Sequence, residues 1–101
     1  MNPVKLVRDK IPDIMKSEGK NPIFYVAGEK EFCRLLRNKL QEEVSEFLKD
    51  DSIEELCDIL EVINAICASK KMAMNDLEQI RLKKINERGA FVNKFVLELT
   101  K

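Results

Sequence analysis

Between residues 29 and 48 the apolar side chains recur at steps of three and four, which is the spacing of an amphipathic helix. A second helix is predicted over residues 53–69, and because it is apolar on almost every side we expect most of its surface to be buried. The acidic turn at residues 50–52 separates the two, with Ser52 as N-cap and Glu55 at the position of a capping box. A connection this short predicts antiparallel packing.

A third helix is predicted with Asn75 or Asp76 as its N-cap, an end near Arg88 and Gly89 as its C-terminal stop. The predicted fold class is therefore all-α, an antiparallel helical bundle that forms a single domain over residues 1–101. The second helix has more apolar surface than so few helices can cover. We therefore expect oligomerisation, as a homodimer or homotetramer, to complete the bundle.

The two ends of the chain have less regular patterns. Residues 12–17 predict a short helix with proline in its first turn, and residues 23–27 are a short apolar run rich in strand formers. The apolar positions of residues 91–99 do not distinguish the spacing of a strand from that of a last helical turn. We favour an extended tail that pairs with residues 23–27. Short extended terminal segments should accompany the bundle.

Composition narrows the class of protein. The chain carries 18 basic and 18 acidic residues, and this zero net charge argues against nucleic acid as a partner. No apolar run approaches the roughly 20 residues that span a bilayer, and no secretory leader is visible, so we expect a cytoplasmic protein without a membrane partner. The three cysteines form no CxxC pair, and we predict that Cys33, Cys57 and Cys67 are reduced core residues.

The chain contains no histidine, which excludes Ser-His-Asp and Cys-His catalysis and zinc sites of the HExxH type. A general base must then be a carboxylate, a lysine or a water that a metal activates. Any bound metal must accept an all-oxygen shell, as Mg²⁺, Mn²⁺ and Ca²⁺ do.

Residues 42–58 are dense in acids, and helical spacing at about 100° per residue separates them into groups. Glu43 lies on the edge of the buried stripe of the first helix, with Glu46 on the same side. Glu55 lies in the buried face of the second helix, with Asp58 at its edge. Antiparallel packing would bring these four carboxylates together. They then either splay into water as a solvated face, take up protons, or bind a divalent cation.

Three segments of the chain together resemble a known family. The pattern EExxE at residues 42–46, followed by ExxD at residues 55–58, resembles the signature of the MazG-like, all-α nucleoside triphosphate pyrophosphohydrolases. The opening KLVRDKIP at residues 5–12 and the pattern KxxxRGxF at residues 84–91 resemble the short members, which are described as phosphoribosyl-ATP pyrophosphohydrolase-like.

The resemblance implies an enzyme that cleaves an NTP or dNTP between the α and β phosphates, giving the monophosphate and pyrophosphate in a house-cleaning role. It implies Mg²⁺ as the cofactor, with Mn²⁺ as the alternative. Carried over by position, the metal ligands would be Glu43, Glu46, Glu55 and Asp58. The catalytic residues would be Glu46, as the base, and Glu42. The contacts to the substrate phosphates would be Lys84, Arg88, Arg8 and Lys10.

Two alternatives stay open at this point. One is a non-enzymatic helical module that keeps the fold but only binds a nucleotide or a partner protein. The other is phosphoribosyl-ATP as the substrate, which the same chemistry would cleave.

Overall fold

The computed structural model describes residues 4–98 and contains four α-helices. Their bounds are Ile11–Ser17 for α1, Glu29–Asp50 for α2, Ile53–Ser69 for α3 and Met74–Arg88 for α4. No strand occurs within residues 4–98, so the all-α prediction is confirmed. The helices pack in a manner consistent with a bundle, with α2 against α3 and α4 against α3.

The α2–α3 hairpin forms the body of the fold. Asp51 ends α2 in the left-handed conformation with φ 52°, and its N–H donates to the Phe47 carbonyl at 2.7 Å. The Ser52 hydroxyl then accepts from the Glu54 N–H at 3.2 Å, so Ser52 is the N-cap as predicted. The capping-box role predicted for Glu55 is not observed, because its carboxyl group is directed at the acids of α2.

The core of the single chain is small. Leu35 and Leu36 of α2 are buried, as is Val62 of α3, and Leu36 is only 2% exposed. The prediction for the cysteines is only partly correct. Cys67 is buried, whereas Cys33 and Cys57 are exposed, and all three thiols are free. Helical periodicity put Cys33 and Cys57 beside apolar residues, but no other part of residues 4–98 covers them.

Helix α4 begins three residues earlier than a cap at Asp76 would require. Ala73 is the N-cap residue, and Asp76 lies in the first turn, where its carboxylate accepts from the Ala73 N–H at 3.0 Å. The prediction of Asn75 or Asp76 as N-cap was therefore wrong. At the other end Gly89 stops the helix as predicted, with φ 84° and its N–H donating to the Ile85 carbonyl at 2.8 Å.

The predicted pairing of residues 23–27 with the C-terminal tail is wrong for the residues that the structure describes. Both segments are irregular, no ladder joins them, and Ile23 and Phe91 are fully exposed. Leu99, the last apolar residue of the predicted tail, lies outside the described residues. Apolar content indicated that both segments need cover, but it did not dictate that they cover each other.

The chain is more extended than its length requires. Its radius of gyration is 17.9 Å, whereas a compact domain of this length has a value of about 13 Å. No helix within residues 4–98 is both long and apolar enough to cross a membrane.

Candidate metal centre

Three carboxylates meet between α2 and α3. Glu43 of α2 and both Glu55 and Asp58 of α3 place oxygen atoms within 4.8 Å of one another. Glu43 is 8% exposed and is the only buried charged residue within residues 4–98. Glu55 and Asp58 are three residues apart, so they project from one face of α3 toward α2. Antiparallel packing of the hairpin thus brings together three of the four predicted metal ligands.

A second group of acids lies beside the first and shares Glu55 with it. Glu46, the fourth predicted ligand, places a carboxylate oxygen within 4.8 Å of oxygens from Asp50 and Glu55. Asp50 was not predicted as a site residue, because it was assigned to the turn. Helix α2 continues to Asp50, two residues beyond its predicted end, which puts Asp50 four residues from Glu46 on the same face. This i, i+4 spacing from Glu46 is the feature of the sequence that could have identified Asp50 as a site residue.

The clustering of these acids changes the pKa of Glu55. Burial raises the pKa of Glu55 above its ordinary value of 4.5, and a hydrogen bond with Glu43 raises that pKa further. The charges of Glu43, Asp58 and Glu46 act in the same direction. Repulsion among the acids therefore favours either a proton on Glu55 or a cation between the carboxylates.

Cationic side chains also approach the acids. Arg8 Nη2 lies 2.8 Å from Asp58 Oδ1, and Lys39 Nζ lies 3.2 Å from Glu43 Oε1. Glu42 belongs to neither group of acids, and its Oε1 lies 3.7 Å from Lys39 Nζ and 3.4 Å from Lys5 Nζ. Lys39 therefore bridges Glu42 and Glu43. It was missed in the sequence, although its position four residues before Glu43 on α2 was a usable signal.

Two members of the three-carboxylate group, Glu43 and Asp58, line a groove of about 1110 Å³, whereas Glu55 lies outside its lining. The groove lies between the N-terminal segment of residues 5–10 and the surfaces of α2 and α3, and its walls include Arg8 and Lys10. Lys84 and Arg88, the other two predicted phosphate contacts, are exposed on α4 and do not line this groove. The structure thus places two of the four predicted cationic side chains in the groove that Glu43 and Asp58 line, and Arg8 alone of the four pairs with a clustered acid within residues 4–98.

The donor set fits a hard divalent cation. It consists of carboxylate oxygens on two helices, with no nitrogen or sulfur atom in either group. Mg²⁺, Mn²⁺ and Ca²⁺ all take such ligands, whereas zinc and copper sites usually include histidine or cysteine. Glu55 belongs to both groups, so any cation held by either one would lie beside it.

Comparison with known proteins adds little to this picture. No family model and no solved structure matches the chain. A protein of Mycolicibacterium smegmatis, described as an uncharacterized protein, is 35% identical to it over 48 residues. The similar region covers 48% of this chain and 49% of that protein, so the chain matches about half of the relative's length. This similarity assigns no function to the chain.

Proposed function

We propose that the chain is a Mg²⁺-dependent nucleotide pyrophosphohydrolase, which cleaves an NTP or dNTP between the α and β phosphates. The observation that carries this proposal is the cluster of Glu43, Glu55 and Asp58, whose oxygens lie within 4.8 Å of one another. The cluster lies beside a groove that is also lined by basic side chains. The order of acidic motifs that resembles the MazG-like family supports the same assignment.

The charges of the groove suit a polyphosphate. Glu43, Glu55 and Asp58 would hold the cation at the α2–α3 interface, and Glu46 would hold it or a second one together with Asp50. When bound, Mg²⁺ would neutralise and orient the phosphates and make the attacking water more acidic. Carboxylates alone would repel a triphosphate, so a cation between them and the substrate is a requirement of the proposal.

Arg8 and Lys10 would contact the phosphates from the opposite wall of the groove. Arg8 lies 2.8 Å from Asp58 and would exchange this partner for a phosphate oxygen when a cation takes over the carboxylate. Arg8 offers several N–H donors in one plane, a geometry that matches phosphate oxygens. The N-terminal segment would thus close the substrate against the acidic wall.

Without histidine, proton transfer would depend on a carboxylate, a lysine or a metal-activated water, and of these we propose a carboxylate. We assign to Glu46 the acceptance of the proton from the attacking water, because Glu46 is exposed and lies beside Glu55. Glu42 would act through Lys39, which lies between its carboxylate and that of Glu43. In this role Glu42 is a positioning residue and would not touch the substrate.

The working protein would be a cytoplasmic homodimer or homotetramer with a house-cleaning role. Lys84 and Arg88 are part of this proposal only through the assembly. Because they do not line the groove of their own chain, they would reach a substrate phosphate from a second copy. Phosphoribosyl-ATP is the alternative substrate, and it would use the same groups.

Product analysis tests the proposed reaction. The chain is incubated with Mg²⁺ and a panel of NTPs, dNTPs and phosphoribosyl-ATP, and the products are separated by ion exchange. Monophosphate with pyrophosphate is the expected pair, with phosphoribosyl-AMP replacing the monophosphate for the last substrate. A diphosphate with inorganic phosphate would contradict the proposed bond cleavage.

A non-enzymatic binding module is the second candidate, and the ion pairs favour it. Arg8 and Lys39 already neutralise two of the three clustered carboxylates without any metal. A module of this kind would bind a nucleotide or a partner protein and would release no pyrophosphate with any substrate of the panel. Calorimetric binding of a non-hydrolysable nucleotide, together with zero turnover, would favour this candidate.

A further inference from the structure

The C-terminal arm, defined as residues 89–98, is an apolar segment on which no other part of residues 4–98 packs. Five of its large side chains are between 79% and 101% exposed: Phe91, Val92, Phe95, Val96 and Leu97. The backbone of residues 90–98 makes no hydrogen bond to the rest of the described chain. A solvated tail is usually poor in aromatic and β-branched residues, so this composition indicates a segment that is buried when the protein is assembled.

A second apolar surface lies on the outside of the α2–α3 hairpin. We call it the outer face, and its large side chains are between 38% and 76% exposed: Val44, Leu48, Ile53, Leu56 and Leu60. On α3, Ile53 and Leu60 lie about 160–180° around the helix from Val62, which is buried on the side of the groove. The outer face is therefore separate from the acidic cluster.

The area that the chain exposes is large enough for a stable dimer. Its accessible surface is 9464 Å², whereas a folded monomer of 11.7 kDa exposes about 5,900 Å². The excess is about 3,600 Å², and a standard protein–protein interface removes only about 800 Å² from each partner. A single copy thus leaves uncovered several times the surface that a specific contact requires.

We infer that the C-terminal arm of one copy packs on the outer face of a second copy, and that the exchange is reciprocal. Both surfaces are present in every chain, so one two-fold contact covers both of them on both copies. The near-complete exposure of Phe91 and Phe95 means that the arm makes no such contact with the described part of its own chain. Each copy has one arm and one outer face, so a second copy supplies one outer face for each arm.

The inference gives the proposed homo-oligomer its contact surfaces, and it rests on that part of the proposed function alone. Nothing in it depends on the metal or the nucleotide, because the outer face and the acidic cluster lie on opposite sides of α3. Pyrophosphate release and solution mass are separate measurements, so failure of one proposal is distinguishable from failure of the other.

Size-exclusion chromatography with light scattering tests the arm exchange. The full chain is compared with a truncated chain that ends at Ala90, and circular dichroism checks that the helices are retained. The full chain is expected to have at least twice the 11.7 kDa mass of one copy, and the truncated chain to have half the mass of the full chain or less. A full chain that runs as a single copy, or a truncated chain that keeps the full assembly, would overturn the inference.

A matched pair of substitutions provides the control should the truncated chain fail to fold. Phe95→Asp and Asn93→Asp each add one negative charge to the arm, but only the first removes an apolar contact. Phe95→Asp is expected to halve the mass, while Asn93→Asp keeps it. Equal masses for the two variants would contradict the inference.

Cys57 is exposed and lies about 40° from Ile53 and about 60° from Leu60 around α3, so its thiol reports on the outer face. In a Cys33→Ser background, the Cys57 thiol should react slowly with a thiol reagent in the full chain and faster after Phe95→Asp. Equal reaction rates in the two proteins would show that the arm does not cover this face.

Discussion

Glu55→Gln is the perturbation that separates a metal centre from a solvated acidic face. Glu55 belongs to both groups of acids, and its pKa is raised by burial, by a hydrogen bond with Glu43 and by the neighbouring negative charges. Glutamine has almost the same shape and carries no charge. The substitution should therefore relieve the repulsion in the metal-free protein and weaken cation binding, which are effects of opposite sign on stability.

The pH dependence of the metal-free protein follows from the direction of the pKa shift. The pKa of Glu55 in the folded chain lies above its ordinary value of 4.5, so the folded state holds this proton more tightly than the unfolded state. The resulting stability is fully present below pH 4.5 and is lost as the pH rises through the folded pKa. The free energy of unfolding of metal-free Glu55→Gln, relative to that of the wild type, should therefore be higher at pH 7 than near pH 4.

The size of the stabilisation by Mg²⁺ follows from the coupling between metal binding and folding. At a free Mg²⁺ concentration about one hundred times the dissociation constant, binding to the folded state stabilises the wild type by about 2.7 kcal/mol. For a chain of this length the corresponding rise in Tm is about 10–20 °C. If Glu55→Gln weakens Mg²⁺ binding ~100-fold, the variant keeps about 15% of that stabilisation at the same Mg²⁺ concentration.

Thermal unfolding followed by circular dichroism, with and without Mg²⁺ at pH 7, measures both effects. Glu54→Gln is the matched control, because it removes a neighbouring charge of α3 that belongs to neither group of acids. The control should keep the full Mg²⁺-dependent rise in Tm. Equal rises for wild type, Glu55→Gln and Glu54→Gln would refute the assignment of Glu55 as a metal ligand.

Three further predictions concern the core, the groove and the assembly. Leu36→Ala should lower the free energy of unfolding by about 2–5 kcal/mol in urea titrations, because Leu36 is 2% exposed; a loss below 1 kcal/mol would argue against this core. Arg8→Met should raise KM for the nucleotide yet change stability by less than about 1 kcal/mol, because the Arg8–Asp58 pair is solvated; an unchanged KM would remove Arg8 from the substrate site. Lys84→Met and Glu43→Gln should each lower turnover. When the two variants are unfolded and refolded together, activity should return, because some sites then combine an intact Glu43 from one copy with an intact Lys84 from the other. If no activity returns, Lys84 does not belong to a site shared between copies.

Periodicity was sufficient to predict the three long helices and the faces of α2 and α3. The alternation of apolar and acidic residues is a property of the helix surface itself, so it identified Glu43, Glu55 and Asp58 as neighbours before any packing was known. Asp50 could not be identified from this periodicity, because the end of a helix depends on a single backbone turn, here at the left-handed Asp51, and not on a repeating pattern.

Burial was harder to predict, because it depends on a second surface. Cys33 and Cys57 have apolar neighbours in sequence but are left exposed by the described part of the chain. Residues 23–27 and 91–99 were predicted to pair, since both are apolar, yet no ladder joins these two segments within residues 4–98. Lys39 was missed for a related reason, since its importance comes from the two acids that it bridges.

The most direct test of the account is Mg²⁺-dependent release of pyrophosphate from a panel of NTPs and dNTPs. Wild type is compared with a double variant, Glu43→Gln with Asp58→Asn, which removes charge from both helices of the three-carboxylate cluster. We expect the wild type to turn over at least one nucleotide, and the folded double variant to lose that turnover while EDTA abolishes it in the wild type. Wild type and double variant with the same near-zero release on every nucleotide would contradict the proposed function.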